Sequence, residues 1–242
     1  MILTETRGRV GIVTIDRHER RNALDLAHVQ DLRESVDGLL SEQVRSIVIT
    51  GAGSSFCSGA DLGGVYGPGF RDALYSALDV ISSAPVPVIA AVNGPAIGAG
   101  TQVAIACDLR VAAPSARFAI PTARNGLAVD PWTIRRLALV AGGGPARAML
   151  LGCEQYSDSR AYQVGLVDRL GTFHDAVEWA EDLATAAPLT LAYSKAALES
   201  MFEPRPWGED LDRDFAAVWE SEDVEEGVRA RMEKRKPDFK GR

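Results

Sequence analysis

Residues 10–15 alternate in polarity and end at Asp16, and residues 46–51 form a short β-branched run closed by Gly51, so both segments are predicted strands. Between them Leu26, Val29, Leu32, Val36, Leu39 and Leu40 recur at helical spacing with polar residues between, which predicts an amphipathic helix over 26–40. The alternation continues with a strand over 86–92, a helix over 99–106, and a strand over 109–113 closed by Pro114. Strands joined through helices imply largely parallel pairing and an α/β fold. Beyond Pro131 the pattern turns helical, around 132–140, 145–151, 159–164, 175–186 and 189–202, and the C-terminal stretch reads as a packing appendage. No internal repeat of fixed period is evident.

The 242 residues suit one domain, or one domain with a helical appendage, and 46% hydrophobic with 24% charged residues is an ordinary globular balance. Residues 80–107 carry no charge, but Pro85, Pro87, Asn93, Pro95 and several glycines make them a buried strand, turn and helix rather than a membrane span. A net charge of -7 argues against a nucleic-acid partner, which needs a concentrated basic surface. Cys57, Cys107 and Cys153 fit neither a disulfide framework nor a metal knuckle, and the N-terminus lacks a secretory pattern, so a reducing cytoplasm is expected. His18, His28 and His174 have no metal-ligand spacing, and no nucleotide-binding or serine-hydrolase motif occurs; no metal or prosthetic group is expected. Glycine and proline crowd residues 63–69, which suits either a mobile lid or an ordinary surface loop.

Candidate chemistry lies in two small-residue turns. Gly98-Ala99-Gly100 opens a helix directly after a strand and the Asn93-Gly94-Pro95 turn, so unpaired N–H groups and the positive end of the helix dipole converge there. Ser58-Gly59-Ala60-Asp61-Leu62 offers the Ala60 N–H from another side. Two preorganised amides suit an oxygen that gains negative charge, such as a thioester carbonyl; taken singly, each turn is equally a tight strand-to-helix connection.

Three stretches in this order and spacing resemble the enoyl-CoA hydratase/isomerase, or crotonase, family: Arg21-Asn22-Ala23-Leu24, Phe56-Cys57-Ser58-Gly59-Ala60-Asp61-Leu62, and Val92-Asn93-Gly94-Pro95-Ala96-Ile97-Gly98-Ala99-Gly100. Cys107-Asp108-Leu109-Arg110-Val111-Ala112, Ala116-Arg117-Phe118 and Glu233-Lys234-Arg235-Lys236-Pro237-Asp238-Phe239 extend the resemblance over nearly the whole chain. It implies repeated ββα units as a spiral core over 1–190 and a C-terminal helical region over 191–242 that packs on the core or a neighbouring subunit, giving a homotrimer or hexamer. It implies a ligand rather than a prosthetic group: an acyl-coenzyme A, its carbonyl held by the amides of Ala60 and Ala99. Coenzyme A contacts are implied at Ala23, Leu24, Ser58, Ala60, Asp61 and Leu62, with Lys234 at a phosphate and Arg20 and Arg21 adding charge nearby.

The sequence departs from the family where hydratases carry two glutamates that activate and deliver water. Gln102 and Thr122 stand there, and neither side chain exchanges protons near neutral pH. Losing both groups costs on the order of 10⁴-fold, so efficient hydration is not expected. Asp130 is the nearest carboxylate, at the spacing where some family members, including dienoyl-CoA isomerases and aromatic acyl-CoA dehalogenases, place a base or nucleophile. Followed by Pro131, it reads equally as a helix N-cap, and Trp132 as core or an aromatic pocket wall. Two readings follow. One is an acyl-CoA-binding protein of fatty acyl-CoA metabolism, like a mycobacterial-type subgroup sharing the pattern Gly126-Leu127-Ala128-x-Asp130-x-Trp132; the other is an active hydratase, isomerase or hydrolase using Asp130.

Overall fold

The computed structural model describes residues 1–61, 63, 69–201 and 219–238. Among these the main sheet has six strands in the order β1-β2-β3-β4-β6-β9, formed by β1 (Ile2–Arg7), β2 (Val10–Ile15), β3 (Ser46–Gly51), β4 (Val88–Val92), β6 (Leu109–Ala112) and β9 (Arg169–Leu170). Only β1 and β2 pair antiparallel; every other neighbouring pair is parallel, as the helical connections require. A second sheet of three strands, β5 (Pro95–Ile97), β7 (Arg117–Ala119) and β8 (Tyr156–Ser157), runs in the order β5-β7-β8. Successive strands β4 and β5, then β6 and β7, are therefore divided between the two sheets.

The pleat of the central strands assigns each face. Val13, Ile15, Ile47, Ile49, Val88, Ala90 and Val92 join the core built on α1 (Leu26–Ser41), α2 (Phe70–Ser83) and α3 (Ala99–Ala106). Their neighbours Val10, Ile12, Val48, Ile89, Ala91 and Val111 pack on the opposite face against Ala176, Val177 and Ala180 of α7 (Phe173–Leu183). The predicted helix over 26–40 is α1, burying Val29, Leu32, Val36 and Leu39 under an Asp25 cap. Helix α2 is absent from the sequence reading, although Phe70, Leu74, Ala77, Leu78 and Ile81 have helical spacing and all are buried.

The C-terminal half adds α4 (Pro131–Ala141), α5 (Gly143–Leu150), α6 (Asp158–Gln163), α8 (Pro188–Glu199) and α9 (Glu222–Met232). Helix α8 is tied to the core by two buried cations. Lys195 Nζ donates to the carbonyls of Ile81 and Val86 and lies 2.8 Å from Asp108 Oδ2, and Arg136 pairs with Glu199 at 2.5 Å. Asp108 Oδ2 also accepts the Val88 N–H at 2.7 Å, which ties the start of β6 to the start of β4. No helix among the described residues is long and apolar enough to cross a membrane.

Candidate functional site

The two small-residue turns meet. The N–H groups of Phe56 and Cys57 both donate to Pro95 O at 3.1 Å, and the Ile97 N–H returns a bond to Cys57 O at 2.9 Å, which lays 56–60 beside β5. Gly59 (φ +104) brings the turn so close that a Cβ there would lie 2.8 Å from Ile97 O and 3.8 Å from Ala99 N. Gly98 has φ 55 and ψ -116, a region that a side-chain-bearing residue cannot adopt without strain, and its own N–H donates to Ala119 O at 2.8 Å. Ala99 is thereby delivered as the first residue of α3.

Among the described residues neither the Ala60 nor the Ala99 N–H has an acceptor. Ala60 lies in an isolated bridge with Leu24, in which Leu24 N–H donates to Gly59 O at 2.9 Å and Asp61 N–H to Leu24 O at 2.6 Å, so the intervening Ala60 N–H points away from the bridge. Ala99 opens a helix and its N–H has no intrahelical partner. Both residues line one cleft of about 1070 Å³.

That cleft also receives Gln102, Thr122, Arg20, Arg21, Ala23, Ser58 and Asp61. Leu24 is fully buried and contributes through its backbone bridge rather than its surface. Leu62 and residues 64–68 of the lid-or-loop segment lie outside the described residues. Lys234 is not part of the cleft lining; Arg231, one turn earlier on α9, is. The Arg21-Asn22 motif has a structural cause: Asn22 is fully buried and donates to the carbonyls of Ala52 and Ser55 at 2.9 and 2.7 Å, anchoring the loop that carries Arg20 and Arg21.

Gln102 and Asp130 belong to one hydrogen-bonded group. Gln102 Nε2 donates to Thr133 Oγ1 at 2.9 Å and to Asp130 Oδ2 at 3.4 Å. The Thr133 hydroxyl donates to Asp130 Oδ2 at 2.5 Å, and its N–H donates to Asp130 Oδ1 at 3.0 Å. Asp130 is therefore the N-cap of α4, with Pro131 in the first turn. Because Gln102 turns its NH₂ toward an acceptor-only carboxylate, its Oε1, which accepts no bond from the described residues, is the atom left for the cleft. Asp130 itself is not in the lining.

Two site features escaped the sequence reading. Tyr75, on the cleft side of α2, has its phenol pushed above the usual value by burial and by the neighbouring Asp130 charge, against an opposing contribution from Arg71. Its signal was the unread helical spacing after Phe70. Arg231 carries no local sequence pattern; it reaches the cleft because α9 packs against residues 122–125. Burial pushes the Cys57 thiol up to about 12, so it is no nucleophile despite lying beside Gly59. No group of three or more metal-ligating side chains occurs among the described residues.

The sequence profile of the enoyl-CoA hydratase/isomerase family matches residues 5–242. The probable enoyl-CoA hydratase echA6 of Mycobacterium tuberculosis is 43% identical over 233 residues, 95% of each chain, and that of Mycobacterium leprae is 44% identical over 241 residues, 96% of each. The 2,3-dehydroadipyl-CoA hydratase of Escherichia coli is 32% identical across all of this chain and 99% of its own. Among solved structures, a methylmalonyl-CoA decarboxylase in complex with 2-nitronate-propionyl-CoA superposes with a TM-score of 0.91 at 25% identity, covering 100% of this chain and 98% of its own. An enoyl-CoA hydratase from Mycobacterium avium subsp. paratuberculosis superposes at 0.86 and 25% identity, covering 99% and 98%. With the family's profile spanning the chain and its fold reproduced throughout, this protein belongs to the enoyl-CoA hydratase/isomerase family.

Proposed function

We propose that the protein binds fatty acyl-CoA thioesters and polarises their carbonyl between the Ala60 and Ala99 amides without hydrating them efficiently. The observation that carries this reading is the pair of N–H groups on one cleft that have no acceptor among the described residues, beside a Gln102 whose nitrogen is already held by Asp130 and Thr133. An amide cannot take a proton from water, and Thr122 supplies only a hydroxyl. Coenzyme A enters as part of the ligand: its phosphates would face Arg20, Arg21 and Arg231, with Lys234 nearby in sequence, and its remaining contacts would fall on Ala23, Ser58, Asp61 and, from outside the described residues, Leu62.

A trimer or hexamer is part of the proposal, supported by the exposed Leu189, Tyr193 and Leu198 on α8 and Ile134 and Leu139 on α4. A cytoplasmic setting fits the three free thiols. The test is thermal stabilisation and calorimetric titration across an acyl-CoA series: stabilisation that grows with chain length supports the reading, and no binding of any long-chain acyl-CoA refutes it.

The alternative, catalysis by Asp130, rests on its place behind Gln102. Both its oxygens are engaged in capping α4, which opposes a free base or nucleophile. Turnover of an enoyl-, dienoyl- or aryl-CoA that disappears in a folded Asp130→Asn variant would establish it.

A further inference from the structure

The turn carrying Ala60 meets the 21–25 segment through three backbone hydrogen bonds, Ser58 N–H to Arg21 O at 3.0 Å, Leu24 N–H to Gly59 O at 2.9 Å and Asp61 N–H to Leu24 O at 2.6 Å. The Leu24–Ala60 bridge is isolated, closed by two hydrogen bonds and not continued as a ladder, and such bonds each contribute only about 1 kcal/mol net. One side chain sits across it. Arg17 Nη1 donates to Ala23 O at 3.1 Å, lies 3.3 Å from Asp25 Oδ2, and lies 2.9 Å from Asp61 Oδ2. A single nitrogen therefore grips the residues on either side of Leu24 and the residue that follows Ala60.

Arg17 and Asp25 are anchored independently of the turn. Arg17 N–H donates to Asn22 Oδ1 at 2.9 Å, and Asn22 N–H donates back to Arg17 O at 2.9 Å. Asp25 Oδ1 accepts the His28 N–H at 3.0 Å and faces His28 Nδ1 at 2.7 Å, which binds it to the start of α1. Asp61 is the member that belongs to the turn: among the described residues its carboxylate accepts, apart from Arg17, the Gly63 N–H two residues on, at 3.2 Å. The Ala99 donor owes nothing to this group, because Gly98 N–H and the Thr101 hydroxyl fix it to Ala119 O and Ala96 O.

We infer that Arg17 is the positioning residue for one of the two thioester-polarising amides: through Asp61 it holds the 59–61 turn on the 23–25 segment and so aims the Ala60 N–H at the oxygen that Ala99 also receives. The inference rests on the proposal that these two amides bind a thioester carbonyl. It makes the site asymmetric, with one donor set by the start of a helix and the other by an ion pair among three loops.

The test uses an arylacryloyl-CoA, whose absorption moves to longer wavelength when its carbonyl is polarised, with the wild type, Arg17→Met, Arg17→Lys and Asp61→Asn. The wild type shows the shift. Arg17→Met loses about half of it and up to about fivefold in its preference for a thioester over the matching thioether, while its affinity for free coenzyme A changes less than about twofold. Arg17→Lys recovers part of the shift, since its single nitrogen carries three donors but sits on a shorter stem than Nη1 and cannot reach all three partners at once. Asp61→Asn, which leaves the Arg17–Asp25 contact in place, reproduces the Arg17→Met loss, and the double variant adds nothing further. No shift in the wild type sinks the thioester proposal itself. A full shift in folded Arg17→Met, or in Asp61→Asn where Arg17→Met does not fold, overturns the positioning role.

Discussion

Replacing Ala99 with proline removes one N–H from the site and disturbs little else. Ala99 is the first residue of α3, where proline's fixed φ is already helical and the missing N–H breaks no intrahelical bond. The preceding Gly98, at φ 55 and ψ -116, occupies the mirror image of extended backbone and has no Cβ to meet the ring. The fold should therefore change in stability by less than about 1 kcal/mol. Each neutral amide-to-carbonyl bond contributes about 1 kcal/mol net, so two donors give the wild type a preference for a thioester over its thioether of about 2 kcal/mol, roughly 30-fold. Ala99→Pro should retain at most about 1 kcal/mol, roughly fivefold. Calorimetric titration with hexadecanoyl-CoA and its thioether analogue measures both ratios; the ring carbon that replaces the N–H meets only the ligand with a carbonyl oxygen, so roughly fivefold is the upper limit for the variant. An unchanged ratio in a folded variant, or no preference in the wild type, refutes the two-amide account.

Gln102→Glu with Thr122→Glu should raise hydration of a short enoyl-CoA by at least about 10²-fold, the ordinary contribution of one positioned acid or base; no gain would mean that more than the two glutamates is missing. The new carboxylate at 102 would meet Asp130 where Nε2 now lies 3.4 Å away, so the pair should retain a shared proton to higher pH, visible in the pH–rate profile. Lys195→Met leaves Asp108 without its cation and should cost about 3 kcal/mol in urea denaturation, less if water enters beside the partly exposed carboxylate. Burial works to raise the Asp25 carboxyl, but hydrogen bonds from the His28 ring and N–H, with the charges of His28 and Arg17, hold it below its ordinary value. Its stabilisation is thus complete above about pH 4 and lost as pH falls through the lowered value. Asp25→Asn, which can still cap α1, should flatten the stability profile below about pH 4 and lower it near neutrality, where the ionised carboxyl's contribution is complete.

The central strands and α1 were legible because period-2 and 3.6-residue patterns record which face meets the core, and β2, β3 and β4 do alternate between the two packed faces. Strand β1 was not, since five of its six residues are exposed on the sheet edge and leave no apolar record. Strands β5 and β7 are three residues each, too short to show a period, and β5 is held in place partly by the distant Cys57. The site divides the same way. Backbone demands at Gly59 and Gly98 show in the residue types, as does the Asp130-Pro131 cap. Arg231 and the grip of Arg17 arise where separate segments meet, and neither has a local pattern.

The most direct test of thioester binding without hydration is the ultraviolet spectrum of a trans-2-enoyl-CoA titrated with excess protein. A shift to longer wavelength that saturates, with the enone band persisting over many minutes, is the predicted result. A band that does not move, or one that disappears as water adds across the double bond, contradicts the account.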